Sequence, residues 1–194
     1  MEAKTVYFEN PGIENTDTTF SIAKARAKEL GISKILVAST TGRTAVKAAE
    51  AFAGMNLIIV SHSAGFREAN VQEFSKENMQ IVQSKGVPVI TAAHAFGGLC
   101  RSMRQGDIPQ APATYNVGDV VASTLRVFGQ GMKVACEIAV MAADAGMVRS
   151  DKEVIAVAGV GKSGGSDTAI VVKPEPAHRF FDLKVKEVLC KPRL

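Results

Sequence analysis

The stretch Ile35-Leu36-Val37-Ala38-Ser39-Thr40-Thr41-Gly42-Arg43-Thr44-Ala45 decides how this chain is read. Its first four residues make an apolar run of buried-strand type, and the hydroxyl-rich residues 39–42 end that run. An alanine-rich helical pattern follows over residues 44–53. Strand, short loop and helix together open a βαβ unit. Moving outward, residues 57–60 form the next apolar run, residues 77–85 a helix stopped by Gly86, and residues 87–92 a third strand. That rhythm predicts a parallel sheet with right-handed crossovers. Upstream, residues 5–8 read as a short strand and Pro11-Gly12 as a turn. Residues 18–30 read as a helix, preceded by the cap types Asn15, Thr16 and Asp17 and closed by Gly31. Downstream, residues 118–145 are helical with a break near Gly129 and Gly131. Residues 153–158 and 168–172 read as strands around a glycine-rich loop, and residues 183–189 as an edge strand. Residues 100–116, interrupted by Gly106, Pro109 and Pro112, read as a lid or a connection over the sheet edge. The expected fold is α/β, a single domain over residues 1–194 with a doubly wound, mostly parallel sheet.

Composition bounds the function. The chain has 194 residues, 46% of them hydrophobic and 22% charged, enough to bury a core without a disulfide or metal staple. The net charge of +4 is mild and the basic residues are scattered, so neither a basic stripe nor an aromatic stacking platform points to nucleic acid. Such a surface suits anionic metabolites. Cys100, Cys136 and Cys190 are widely spaced, with no zinc-ligand spacing and no metal site expected; they fit a reducing cytosol. Residues 1–8 lack the character of a signal peptide, and no apolar run reaches membrane-spanning length. A soluble, cytoplasmic protein with no membrane partner is expected, and its apolar edge segments suggest a homo-oligomer.

The chemistry gathers just after the strands. Ser39, Thr40 and Thr41 follow the first main strand, Ser61 and His62 the second, Thr91 and His94 the third, and residues 159–166 the fourth. In open parallel sheets the ligand crevice lies outside the carboxyl ends of the strands. The loop Ser39, Thr40, Thr41, Gly42, Arg43, Thr44 offers hydroxyls and backbone donors at a helix N-terminus, where a phosphate is favoured. Gly42 permits the tight turn and Arg43 adds a cation. An ordinary N-cap with Arg43 in solvent accounts for the same residues, and the sequence alone admits both readings.

These residues also carry a resemblance. The stretch from Ile35 to Ala45 resembles the start of the C-terminal α/β domain of pyruvate kinase, where a Ser/Thr-Gly-x-Ser/Thr-Ala loop of regulated enzymes holds the phosphate of a sugar-phosphate effector. Nearly end to end, the chain is similar to a family of stand-alone pyruvate kinase C-terminal-like proteins of archaea and some bacteria. Val6-Tyr7-Phe8, Pro11-Gly12, Glu14-Asn15-Thr16, residues 26–31, Met141-Ala142-Ala143-Asp144, Asp167-Thr168-Ala169 and Lys191-Pro192-Arg193 carry that likeness. The resemblance implies a Rossmann-like three-layer sandwich and a ligand pocket, with flavin mononucleotide (FMN) as the cofactor. Its site would draw on the 39–44 loop, on Ser61, His62, Gly65, Phe66 and His94, and on Gly159, Gly161, Ser166, Asp167 and Thr168. Relatives tend to read Gly-Ala-Asp-Thr-Ala where this chain has Gly165-Ser166-Asp167-Thr168-Ala169. Pyruvate kinase catalysis is not implied, because its (β/α)₈ barrel needs about 200 residues of its own.

Gly159-Val160-Gly161-Lys162-Ser163-Gly164 matches G-x-G-x-x-G and ends like a Walker A loop, yet a strand rather than a helix is expected next, and Ala156 stands where Walker A needs glycine. Both nucleotide-binding motifs are rejected; a backbone phosphate cradle is retained. His62 and His94 could form an acid/base pair or contact a ligand ring, whereas His178 reads as surface. Glu137 interrupts an apolar run, but Lys133, Glu137 and Asp144 share a helix face and read as a solvated stripe. The leading functional expectation is a protein that binds a phosphate-bearing small molecule, FMN first, with flavoenzyme turnover of unknown reaction left open. The alternatives are a regulatory module that senses a phosphorylated sugar or another metabolite, and an interaction protein with a vestigial pocket.

Overall fold

The computed structural model describes residues 2–105, 116–160 and 164–193. Its elements in chain order are β1 (Val6–Phe8), α1 (Thr16–Leu30), β2 (Lys34–Ala38), α2 (Arg43–Ala51), β3 (Asn56–Ser61), α3 (Lys76–Ser84), β4 (Val89–Thr91), α4 (Cys100–Gln105), α5 (Val117–Arg126), α6 (Gln130–Asp144), β5 (Val154–Ala158), β6 (Thr168–Lys173) and β7 (Lys184–Pro192). Short 3₁₀ turns precede α1 and β7. The seven strands form one sheet in the order β1-β7-β6-β5-β2-β3-β4. Only β6 opposes the others: it is antiparallel to β5 and β7, while every other pairing is parallel.

Strand alternation divides the core. Ile35, Val37, Leu57 and Ile59 point to the face covered by Phe20, Ala23 and Ala27 of α1, Ala45 and Ala48 of α2, and Val82 of α3. Leu36, Ile58, Val60, Val154 and Ala156 point the other way, onto α6 and Ala122 of α5. The result is the expected doubly wound, three-layer α/β arrangement. Fully burying a side chain such as Ile35 or Leu36 contributes roughly 1.5–3 kcal/mol. Helix α6 is buried over eleven of its fifteen residues, so it is apolar nearly all round and not a one-faced surface helix.

Two glycines set the fit. Gly42, at φ 91°, turns the chain into α2; a Cβ there would lie 2.5 Å from Asn78 Cβ and 2.6 Å from Phe74 Cε1. Gly131 does not break a helix, as its sequence context suggested. It lies inside α6, where a Cβ would stand 2.1 Å from Thr168 Oγ1, so its absent side chain lets α6 approach the start of β6. The helix break falls at residues 127–129, with Gly129 at φ 118°.

One strand assignment is corrected. Of the expected edge strand 183–189, residues 184–189 belong to β7, which is interior, between β1 and β6. The edges are β1 and β4. The misreading has a physical cause: β1 pairs only with Cys190, Lys191 and Pro192, so the first residues of β7 lie beyond its reach. Lys184, Val185 and Lys186 are exposed there, whereas Leu189 and Cys190 are buried. In the 100–116 segment, α4 occupies its first part, and residues 106–115 lie outside the described residues. Among the described residues no helix is long and apolar enough to cross a membrane.

Gly131→Ala is expected to lower stability by about 2 kcal/mol or more, because overpacking against Thr168 outweighs the gain in helix propensity. Urea unfolding midpoints of the two proteins check this.

Candidate functional site

From β2 the chain proceeds outward to β3 and β4, then returns to β5 on the other side of β2. The switch point therefore lies between β2 and β5, with the exits of β3 and β4 on the same edge. At the β2 exit Ser39 is buried, and its Oγ accepts the Ala45 amide at 3.2 Å, capping α2. The Thr41 carbonyl is held by Asn78 Nδ2 and the Ser75 amide at 3.0 and 3.2 Å. Arg43 is exposed and its Nε reaches Thr41 Oγ1 at 3.5 Å. The first intrahelical bond of α2 runs from the Val46 amide to Gly42 O, which leaves the Arg43 and Thr44 amides directed out of the helix. Thr44 is half-buried beside them.

Thr40 turns the other way, toward β3. Its Oγ1 lies 3.2 Å from His62 Nε2, and His62 Nδ1 lies 3.0 Å from Glu73 Oε2. A carboxylate only accepts, so Nδ1 carries a proton, and in that neutral tautomer Nε2 is the acceptor for the Thr40 hydroxyl. Glu73 is itself paired with Arg67 at 3.1 Å. The loop that carries these groups is tied by its own bonds, Gly65 N to Val71 O at 2.9 Å and Gln72 Nε2 to the His62 carbonyl at 3.4 Å. Ser61 is buried and bridges the strands, 2.8 Å from Thr91 Oγ1.

Beside His62 sits a group of flat rings. His62 meets His94 edge-on at 4.8 Å between centroids, and Phe66 lies 4.5 Å from His62 and 4.9 Å from His94. The guanidinium carbon of Arg101 stands 4.4 Å above the Phe66 ring, a cation–π contact. Burial holds His94 down at a pKa of about 4, with Glu137 opposing, so the ring is neutral at physiological pH. The structure thus brings Thr40, His62, Phe66 and His94 together.

The solvated stripe expected on α6 is overturned. Lys133 and Glu137 are 7% and 4% exposed and form a buried ion pair; only Asp144 is exposed. Glu137 also accepts the Phe96 amide at 3.1 Å, and Lys133 lies 5.7 Å from the Phe96 ring. Burial pulls the Lys133 ammonium below its usual range, against the pull of Glu137. A polar cavity of about 30 Å³, room for a water molecule, opens here between Phe96, Arg101, Asp119, Arg126 and Lys133.

At β5 the loop runs into an antiparallel hairpin with β6, so no helix follows the glycines. Gly161 lies outside the described residues. A Cβ on Gly159 would come within 2.7 Å of the Gly165 carbonyl, which folds the loop back on itself. Ser166, Asp167 and Thr168 are buried beneath the edge. The Ser166 amide donates to Thr16 Oγ1 at 3.0 Å, Thr19 Oγ1 donates to the Ser166 carbonyl at 3.3 Å, and Thr168 Oγ1 donates to Asp167 Oδ1 at 2.8 Å. Burial raises the Asp167 pKa, with the Thr168 hydroxyl and the Gly12 and Val160 amides pulling it back. These side chains tie α1 to the sheet. Among the described residues no group of three or more His, Cys, Asp or Glu could hold a metal ion.

Glu73 and Arg101 were not read from sequence. Each lies on irregular or short structure with no periodic signal, and only the fold brings them to His62 and Phe66. For Lys133 and Glu137 the signal was present in residues 134–143, which are apolar at every position but Glu137.

Comparison with known proteins gives two findings. The family model described as pyruvate kinase, alpha/beta domain, matches residues 17–172. Among solved structures, the chain is similar to Cryptosporidium parvum pyruvate kinase in complex with ADP, at 15% identity and a TM-score of 0.36. That match covers 80% of this chain and 22% of the other, so the chain spans about a fifth of that protein's length.

Glu137→Ala leaves Lys133 buried without its partner and is expected to cost about 3–5 kcal/mol in chemical denaturation. The pair replacement Lys133→Met with Glu137→Leu is expected to recover most of that loss. His94 gives a pH dependence. Its folded pKa of about 4 lies below the unfolded value of about 6.5, so the unfolded chain binds more protons between the two. Stability is therefore full above about pH 6.5 and falls on acidification toward pH 4. Relative to His94→Phe the loss is on the order of 2 kcal/mol, allowing for the ring's partial exposure, and thermal melts across that range measure it.

Proposed function

The chain belongs to the pyruvate kinase α/β-domain family, and on that premise we propose that it binds a phosphate-bearing small molecule with a flat ring, FMN first, at the carboxyl edge of its sheet. One observation carries this reading: Thr40, in the turn that leads into the open end of α2, lies 3.2 Å from His62, whose ring packs with those of Phe66 and His94. A phosphate is favoured by the Arg43 and Thr44 amides, the helix dipole and the adjacent hydroxyls. A planar isoalloxazine suits a site walled by imidazole and phenyl rings, with Arg101 adding cation–π attraction. The residues present therefore fit the group. Thr41, Arg43 and Thr44 would hold its phosphate, and His62, Phe66 and His94 its ring.

Bound flavin would supply one- and two-electron redox chemistry. The chain's own residues bind and orient: the neutral His94 presents an uncharged ring face, and the Glu73 carboxylate fixes the His62 tautomer. A cytoplasmic location belongs to the same reading, supported by three free thiols, of which Cys136 and Cys190 are buried.

Titration of the purified chain with FMN, followed by quenching of flavin fluorescence, is expected to show saturable binding near one equivalent. Thr44→Ala is expected to weaken it about tenfold, the loss of one charge-assisted hydrogen bond. No saturation would sink the flavin reading. Thermal stabilisation by sugar phosphates in its place would support a metabolite-sensing module on the same loop.

A further inference from the structure

We propose that Thr40, His62 and Glu73 form a hydroxyl–imidazole–carboxylate relay that makes Thr40 Oγ1 a nucleophile toward small carboxylic esters. The inference does not rest on the flavin reading.

The geometry has the three parts an activated hydroxyl needs. A nucleophile and its base lie within hydrogen-bond reach, Thr40 Oγ1 to His62 Nε2 at 3.2 Å. The base is oriented by a third group, His62 Nδ1 to Glu73 Oε2 at 3.0 Å. The orienting carboxylate is mostly buried, with its side chain 14% exposed, and its other oxygen is held by Arg67 at 3.1 Å. Solvent still reaches the working end, since Thr40 is half-buried and the His62 side chain is 27% exposed. These groups come from three places, the β2–α2 turn, the end of β3 and the loop before α3. Packing of one element does not explain their convergence. A triad is recognised by such geometry and not by chain order.

Placement adds a second argument. Thr40 stands on a strand–turn–helix connection, where a hydroxyl is lifted clear of the sheet edge. Helix α2, nine residues long, begins three positions later, so its positive end opens on the same carboxyl edge of the sheet as the nucleophile. That positive end favours the negative oxygen that develops when a carbonyl is attacked.

The step balances without a co-reactant beyond water. His62 Nε2 takes the Thr40 proton as Oγ1 bonds to the acyl carbon. The bond from that carbon to the ester oxygen breaks, and His62 returns the proton to the leaving alcohol. Water then repeats the sequence: His62 removes its proton as its oxygen bonds to the acyl carbon, the bond from that carbon to Thr40 Oγ1 breaks, His62 returns the proton to Oγ1, and the carboxylic acid leaves. No atom changes oxidation state. Glu73 acts through His62 and is a positioning residue.

The test uses the whole chain and p-nitrophenyl acetate, which carries no phosphate, so its result is separable from the flavin titration. The expected result is a burst of nitrophenol and transfer of one acetyl group to Thr40, found by peptide mass spectrometry. Thr40→Val, nearly isosteric, is expected to abolish burst and label, and Thr40→Ser to keep both. His62→Gln is expected to lower the rate roughly 100-fold or more and to remove the acidic limb of the pH–rate profile, where protonation of the base stops turnover. Glu73→Gln is expected to shift that limb, with partial rescue by Glu73→Asp. Thermal midpoints within a few degrees of the parent's confirm that each variant is folded. Acetyl on lysine or histidine in place of Thr40, an unchanged rate in Thr40→Val, or turnover no faster than free imidazole at equal concentration would overturn the proposal.

Discussion

Parallel strands cannot be joined by a tight turn. Each parallel connection must carry the chain back across the sheet, and in this protein a helix makes the return. Everything functional follows from that constraint. The exits of β2, β3, β4 and β5 are forced to one edge, and the change of direction after β4 opens a crevice between β2 and β5. The antiparallel β5–β6 hairpin, which needs no crossover, brings the start of β6 to the same edge. That start is where Asp167 and Thr168 meet the first turns of α1 and α6. An internal carboxylate there complements the positive end of α6 on one face of the sheet and the Gly12 amide on the other.

The second level of organisation is the buried pair on α6. Glu137 does not simply neutralise Lys133; it fixes the Phe96 amide, two residues beyond His94. The ring cluster at the β4 exit is thereby anchored to the core helix of the opposite layer. A buried ion pair of this kind adds little net stability over an apolar pair, yet breaking it is costly. Its value here lies in holding one backbone conformation beside the rings. Buried polar geometry on α6 and accessible chemistry at His62 are parts of one assembly.

Much of this was legible in the residues. The apolar runs at 35–38, 57–60, 153–158 and 168–172 fall on β2, β3, β5 and β6, because strands buried on both faces leave little room for another pattern. The hydroxyl-rich turn before α2 was legible as the entrance to a helix, and His62 and His94 as neighbours. Three things were not. β7 looked like an edge because only its second half is covered by the three residues of β1. Lys133 and Glu137 looked solvated because i, i+4 charge pairs are ordinary on exposed helices; the apolar residues on every other side of α6 were the contrary signal. Glu73 carries no local signal, since its role depends on where a loop crosses His62 in space.

The pairing of β1 with β7 has a consequence for biogenesis. Val6 is registered against Cys190, so β1 has its partner among residues synthesised some 180 positions later. At translation rates of about 5–20 residues per second, β1 waits roughly 10–35 s with its backbone donors and acceptors unpaired. The nascent chain can meanwhile assemble the β2–β3–β4 half from local contacts and dock α6 on it, but its β1 margin stays adhesive throughout. Tyr7 and Phe8 wait with it, open to any chaperone or second nascent chain that reaches them first.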